Sequence, residues 1–300
     1  MQGSVQGSGH GATNAAIQAV FPVPHRQDAP AQPAAVSLAG VDITFNLRDG
    51  GRYQAVKDIA LDVAHGEFVS VVGPTGCGKS TLLNAAAGLL QPSAGKVGIL
   101  GEPLAGLNLK AGYLFQLDAL MPWKTALQNV AVALEPQGVT GKEAEERAHA
   151  WLARVGLRTF TDRYPHMLSG GQKKRVALAQ VLIRDPKILL MDEPFGPLDA
   201  QTRQIMGNLL LDLWSKDRKA VMFVTHDLEE AISLSDRVVV MSAGPAATIV
   251  GDYRVNLARP RDIADIRLDK DFHEIHRQIW QTLKVEVQKA YAAGEGRDMA

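Results

Sequence analysis

The chain has 300 residues, 46% of them hydrophobic, and carries 32 basic side chains against 32 acidic ones. That length suits one large domain or two modest ones with ample core, and the even charge leaves no sequence-wide footprint for nucleic acid or an anionic membrane. One cysteine, Cys77, excludes an internal disulfide framework and a cysteine zinc site. No run approaches the roughly 18 apolar residues of a spanning helix, and no basic-then-apolar leader opens the chain.

Residues 1–35 are rich in Gly, Ser, Gln, Ala and Pro with only Arg26 and Asp28 charged, a composition that predicts a flexible tail. Next, Val41, Ile43 and Phe45, then Val56, Ile59, Leu61 and Val63, follow the pattern of antiparallel strands, with the turn at Asp49-Gly50-Gly51. Phe68 to Val72 is a compact apolar run, followed by a glycine-rich loop and a helix expected over Ser80 to Leu90. Ile188 to Met191 and Val221 to Val224 are equally short and unbroken, as strands of a parallel sheet covered on both faces must be. The expected fold class is therefore α/β. Between these runs Ala144, Ala148, Leu152 and Val155 share one helical face before Gly156. Near the end Phe272, Ile275, Ile279, Leu283 and Val287 repeat at helical spacing, as in a helix docked on the core. There is no internal repeat.

Gly73-Pro74-Thr75-Gly76-Cys77-Gly78-Lys79-Ser80 matches the P-loop pattern between an expected strand and an expected helix. The glycines let the backbone curl so that N–H groups face phosphate oxygens, and the helix start adds positive potential. Lys79 would neutralise the β- and γ-phosphates, Ser80 would ligate Mg²⁺, and Thr81 completes the nucleotide-contacting stretch. Cys77 is read as a small side chain lining the loop; a helix start also lowers a thiol pKa, which would leave it open to alkylation. Downstream, Asp192 and Glu193 stand at the carboxyl end of an apolar strand, where open α/β sheets bind ligands. Asp192 would hold Mg²⁺ through water, and Glu193 would be the general base for an attacking water.

A kinase or a GTPase could share all of this. Leu168-Ser169-Gly170-Gly171-Gln172, just before a helical stretch from Lys173 to Ile183, separates them; Ser169 reads as an N-cap and the glycines as a second anion-binding helix start. The P-loop, this pentapeptide and the Asp-Glu strand end together resemble the ATP-binding cassette ATPases, over residues 36–251. The resemblance implies a RecA-like P-loop core with an N-terminal antiparallel β subdomain, an inserted helical subdomain at about residues 118–167, and a C-terminal helical extension over 252–300. It also implies that Ser169, Gly170, Gly171 and Gln172 contact nucleotide held by a second cassette, most simply a copy of this chain. On the same footing Gln116 resembles the Q-loop glutamine that touches Mg²⁺ and the attacking water. Asp199 resembles the aspartate at the dimer seam, and His226 the switch histidine that senses the γ-phosphate. Adenine would stack on Phe45 or, across the Asn46–Arg52 insertion, on Tyr53. Lys173-Lys174-Arg175 stands where Gln or Arg is more usual, with no consequence evident in the sequence.

Leu120-Met121-Pro122-Trp123, Asn129-Val130 and Ala258-Arg259-Pro260-Arg261-Asp262 resemble the nitrate, sulfonate and taurine importer ATPases. That likeness implies ATP and Mg²⁺ as cofactors and two transmembrane permease subunits as partners. It also implies, indirectly, a periplasmic solute-binding protein, and a place at the cytoplasmic face of the inner membrane. The alternative, a soluble cassette ATPase acting on nucleic acid or ribosomes, usually carries two cassettes or a long coiled-coil insertion.

Overall fold

The structure is a computed structural model describing residues 33–48 and 50–298, with side chains to residue 293. The expected tail, apart from residues 33–35, and Asp49 of the expected turn lie outside the described residues. Among those described, no helix is long and apolar enough to cross a membrane.

Two sheets share the molecule. Strands β1 (Val36–Asn46), β2 (Arg52–Val63), β4 (Ala94–Ile99) and β5 (Glu102–Pro103) form an antiparallel sheet in the order β2-β1-β4-β5. Strands β3 (Phe68–Val72), β6 (Ala111–Leu114), β7 (Ile188–Asp192), β8 (Ala220–Val224), β9 (Arg237–Met241) and β10 (Ile249–Arg254) form the second, ordered β10-β9-β3-β8-β7-β6. Its pairs are parallel except β9 with β10.

Alternation along these strands feeds two cores. Phe68, Leu189, Met191, Val221 and Phe223 pack with the helices α2 (Ala126–Ala131), α3 (Gly141–Arg154), α4 (Gly170–Leu182) and α5 (Ala200–Lys216). Val69, Val71, Ile188, Leu190, Met222 and Val224 point the other way, onto helix α1 (Lys79–Ala86) and the antiparallel sheet. Both faces being covered, β3 and β8 are buried at every position, which is why they read as unbroken apolar runs. A third cluster joins β9 to α6 (Leu228–Leu234) and α8 (Lys270–Asp298), where Phe272, Ile279 and Leu283 are buried and Ile275 and Val287 pack partly buried against them.

One helix departs from expectation. Helix α1 ends at Ala86 rather than Leu90, because Asn108 captures its last carbonyls: its Nδ2 donates to Ala86 O at 3.0 Å and its backbone N to Ala87 O at 2.9 Å. Helix α4 begins at Gly170, ahead of the Lys173 run and with Ser169 as the N-cap that the sequence marked; a capping box closes on Gln172, where Gln172 N donates to Ser169 Oγ at 3.3 Å and Ser169 N to Gln172 Oε1 at 2.9 Å.

The Ala258–Asp262 segment is a clamp. Arg259 donates twice to Asp236 Oδ1, at 2.7 and 2.9 Å, and lies over the Trp214 ring. Arg261, buried, donates to the carbonyls of Ile232, Ser233, Ser235, Val255 and Leu257, tying the end of α6 to the chain after β10. Asp262 caps α7 (Ile263–Ile266) and accepts from Asn208 on α5 at 2.7 Å.

Candidate functional site

At the carboxyl edge of the parallel strands lies a pocket of about 550 Å³, lined by Phe45, Tyr53, Ala55, Thr75, Gly76, Gly78, Lys79, Ser80, Thr81, Gln116, Glu193 and His226. Stretches far apart in sequence converge there: the facing ends of β1 and β2, the loop after β3, the chain after β6, and the ends of β7 and β8. The loop turns into α1 at Gly78, whose φ of +96° is a glycine conformation and whose missing side chain leaves room for Val56, since a Cβ would sit 2.6 Å from Val56 Cγ1. Lys79 Nζ donates to the carbonyls of Gly73 and Pro74, both at 2.9 Å, so the loop closes over its own cation. A buried ammonium left without acceptors would be costly.

The acids behave differently from each other. Ser80 Oγ donates to Asp192 Oδ1 at 2.8 Å, and burial pushes the Asp192 carboxyl above its usual range, with the neighbouring Glu193 charge adding to the shift. Glu193 has φ +40°, a strained conformation for a non-glycine residue, of the kind that collects at functional sites. Its Oε2 lies 3.1 Å from His226 Nδ1 and accepts from Gln116 Nε2 at 3.5 Å. One carboxylate oxygen is thus the meeting point of three loops.

No group of three or more His, Cys, Asp or Glu among the described residues could hold a metal by itself. The Ser80 hydroxyl and the Asp192 carboxylate do present adjacent hard oxygens beside the loop. That donor set fits a hydrated Mg²⁺ completed by substrate phosphates, the arrangement this ion favours over an all-protein cage.

The thiol of Cys77 is not where a reactive group would be. It is buried behind the loop, and burial raises its pKa despite the pull of Lys79 the other way, so the expected low-pKa, alkylatable thiol is not found. Cys77, like Gly73 and Pro74, does not line the pocket, and its backbone N donates to Pro74 O at 3.3 Å within the loop.

The pentapeptide stands apart. None of Ser169, Gly170, Gly171 and Gln172 lines the pocket. The side chains of Ser169 and Gln172 are engaged in the capping box, and Gly171 is packed so close to α5 that a Cβ would meet Thr202 Cγ2 at 2.6 Å. Asp199 caps α5 by accepting from Thr202 N at 2.9 Å, which holds its carboxyl below the usual range. Arg203 then joins this loop to the His226 segment: it donates to Leu198 O at 3.0 Å and pairs with Asp227 at 2.9 Å, beside His226.

Sequence reasoning passed over three groups. Arg203 sits in a helix with nothing local to mark it. Glu230 lies under the His226 loop, accepting from Thr225 Oγ1, and burial pushes it up to about 7. Lys174 is the third; at spacing i, i+3, i+4 it falls on the face of α4 that buries Ala177 and Leu178, and that periodicity could have found it.

A glycine loop opening onto a helix beside an acidic strand end, on a parallel sheet wrapped by helices, defines a P-loop nucleotide-binding ATPase fold. The ABC transporter family model matches residues 56–196. An uncharacterised ABC transporter ATP-binding protein of Methanocaldococcus jannaschii is 47% identical over 242 residues, covering 81% of this chain and 89% of the relative. The taurine import ATP-binding protein TauB of Jannaschia sp. is 37% identical over 247 residues, 81% of this chain and 92% of that one. Among solved structures, a dimeric ATP-binding cassette in a post-hydrolysis state with ADP and Pi aligns at TM-score 0.66 and 33% identity, over 74% of this chain and all of that one. The chain belongs to the ABC transporter ATP-binding proteins and is an ATPase.

Proposed function

We propose that this chain is the ATP-hydrolysing subunit of an importer for a small anion such as taurine, another sulfonate or nitrate. Two copies would work with two permease subunits at the cytoplasmic face of the inner membrane, served by a periplasmic solute-binding protein. The observation that carries the reading is the convergence of Lys79, Ser80 and Thr81 with Gln116, Glu193 and His226 in one pocket. The name of the taurine relative supports import, and the dimeric state of the cassette neighbour supports a pair.

In this reading residues 36–251 are the ATPase domain, with a helical subdomain near 118–167, and 252–300 a C-terminal extension. Gly73 to Thr81 wrap the phosphates with main-chain N–H groups, and Lys79 releases the Gly73 and Pro74 carbonyls to meet the β- and γ-phosphates. Ser80, Asp192 and Gln116 hold Mg²⁺, which supplies charge neutralisation at the phosphates. Glu193 Oε2 takes a proton from the water attacking the γ-phosphate, while His226 and Gln116, which meet that oxygen, fix its direction. Phe45 or Tyr53 stacks on adenine. Ser169, Gly170, Gly171, Gln172 and Asp199, set outside the pocket, face the nucleotide of the second copy, so that ATP closes the pair and hydrolysis reopens it.

The test is co-purification of the full chain from detergent-solubilised host membranes with ATPase activity followed through the fractions. A multi-spanning permease in the active fraction supports the importer, and the ligand of the accompanying binding protein names the cargo. Recovery with ribosomes or DNA-bound proteins, and no permease, overturns it.

A further inference from the structure

Lys174 lies on the second turn of α4, just past the Ser169 cap, and its side chain is only 2% exposed. Rather than reaching solvent, it crosses to the chain that leaves β6. Its Nζ donates to Gln116 O at 2.7 Å and Phe115 O at 3.3 Å, and pairs with Asp118 Oδ1 at 2.9 Å. An ammonium has three N–H donors; here two are spent on the carbonyls of Phe115 and Gln116, and Asp118 Oδ1 faces the charge as an ion-pair partner without a hydrogen bond.

The main chain on both sides of the Gln116 side chain is thereby wrapped around a single cation rooted in the helix that Ser169, Gly170 and Gly171 begin. The Gln116 amide in turn reaches Glu193 Oε2, at the long distance of 3.5 Å. A hydrogen bond at that limit is lost with a small displacement of its backbone.

We propose that Lys174 is a positioning residue for hydrolysis. It fixes the Gln116 main chain to α4, so that the Gln116 amide meets Glu193 only when the Ser169–Gln172 helix start is in its place. This rests on the role assigned to Gln116 above. The lysine is a point charge with three freely directed donors, which suits two carbonyls and a carboxylate arrayed around it, and no planar or shorter side chain presents the same set.

The experiment measures steady-state ATPase of the full chain for Lys174→Met, Gln116→Ala, their double variant, and a second double variant, Lys174→Met with Asp118→Leu. Removing the ammonium alone strands a buried carboxylate, so Lys174→Met is expected to lower the melting temperature as well as the rate. The Asp118→Leu partner replaces the ion pair by apolar groups and is expected to restore the melting temperature. With stability restored, kcat is still expected to be down about tenfold or more and KM for ATP within about twofold, since the loop around Lys79 is untouched. In the Gln116→Ala background, Lys174→Met is expected to reduce kcat by less than about twofold further, because both act through one amide.

Return of kcat to the wild-type value in the stability-restored variant overturns the proposal, and so does a rise in KM that accounts for the loss. Additive losses for Lys174→Met and Gln116→Ala overturn it too. Gln116→Ala with unchanged kcat sinks instead the reading of Gln116 on which the proposal stands.

Discussion

The two glycine-bearing helix starts of this chain are built alike and used differently. At Gly78 the helix α1 opens into a pocket, with a lysine folded back over the loop and a serine already bonded to an acid across the sheet. At Ser169 the helix α4 is closed by its own capping box, one of its glycines is packed against α5, and nothing of the chain's own nucleotide pocket lies in front of it. A single chain therefore holds one prepared phosphate site and one helix start that lines no part of it. Under the pairing proposed above, that asymmetry suits a protein that must be switched, because ATP bound to one copy would become the missing ligand of the other.

The largest expected effect sharpens the first half of that contrast. Glu193→Gln keeps the size and strained backbone of the residue but removes the basic oxygen. We expect kcat to fall by about 10²–10⁴ while ATP affinity holds, measured by turnover and nucleotide titration. Next in size is Lys79→Ala, expected to weaken ATP binding by about 10- to 100-fold, the worth of one or two charge-assisted hydrogen bonds.

The second half is tested by mixing. A methyl at Gly170 meets only Leu198 Cδ2 at 3.7 Å, an ordinary contact, so Gly170→Ala is expected to fold and even gain helix stability. It is expected to lose about tenfold or more in turnover by displacing the phosphate of the other copy. Equal parts of Gly170→Ala and Lys79→Ala chains should then recover activity that neither has alone, because the mixed pair contains one site with both halves intact. Absence of recovery in a mixture shown to form pairs would place the Gly170 effect within the chain.

The two regions also rest on different buried charges. Lys174 backs the α4 start, with two carbonyls and the Asp118 carboxylate around its ammonium, whereas Glu230 backs the His226 loop with burial pushing it up to about 7 from an ordinary value near 4.5. Since the folded value lies above the unfolded one, the folded state holds the extra proton. The stability this contributes is complete below about pH 4.5 and is lost as pH rises through about 7. Glu230→Gln keeps the acceptor for Thr225 and carries no charge. It is expected to be flat across that window and more stable than the parent at pH 8 by on the order of 3 kcal/mol, by denaturant melts at both pH values.

What the sequence made legible follows from how local each signal is. Gly73 to Ser80, Asp192-Glu193 and the Leu168–Gln172 stretch are contiguous, and the backbone geometry they need is set within a few residues. The strands at Phe68 and Val221 were legible because burial on both faces forces an apolar run. The end of α1 was not, since Asn108 decides it from across a loop, whereas Ser169 had marked the start of α4. Lys174 showed no consequence in the sequence because its acceptors lie 58 and 59 residues away. Ala258–Asp262 pointed to a family, but its arginines spend their donors on carbonyls and Asp236 rather than on a ligand.

The smallest expected effect concerns the aromatic wall of the pocket, where Phe45 and Tyr53 are paired across β1 and β2 and both line the cavity. Tyr53 leans on the loop after β9, its hydroxyl 3.7 Å from where a Gly244 Cβ would stand, and that same position is 3.5 Å from Gly76 O. Its hydroxyl end thus stands near the loop after β9. Phe45 is 38% exposed, with a ring face free to take a base. Stacking contributes about 1–3 kcal/mol per base, so Phe45→Ala should raise KM for ATP by roughly five- to tenfold, with GTP and ATP affected alike because every base offers a π-face. Tyr53→Ala should change KM by less than about twofold and act instead on thermal stability, through the lost packing beside the loop after β9. If the larger KM effect falls on Tyr53, the adenine lies deeper against the phosphate loop, and the pocket belongs to β2 rather than to β1.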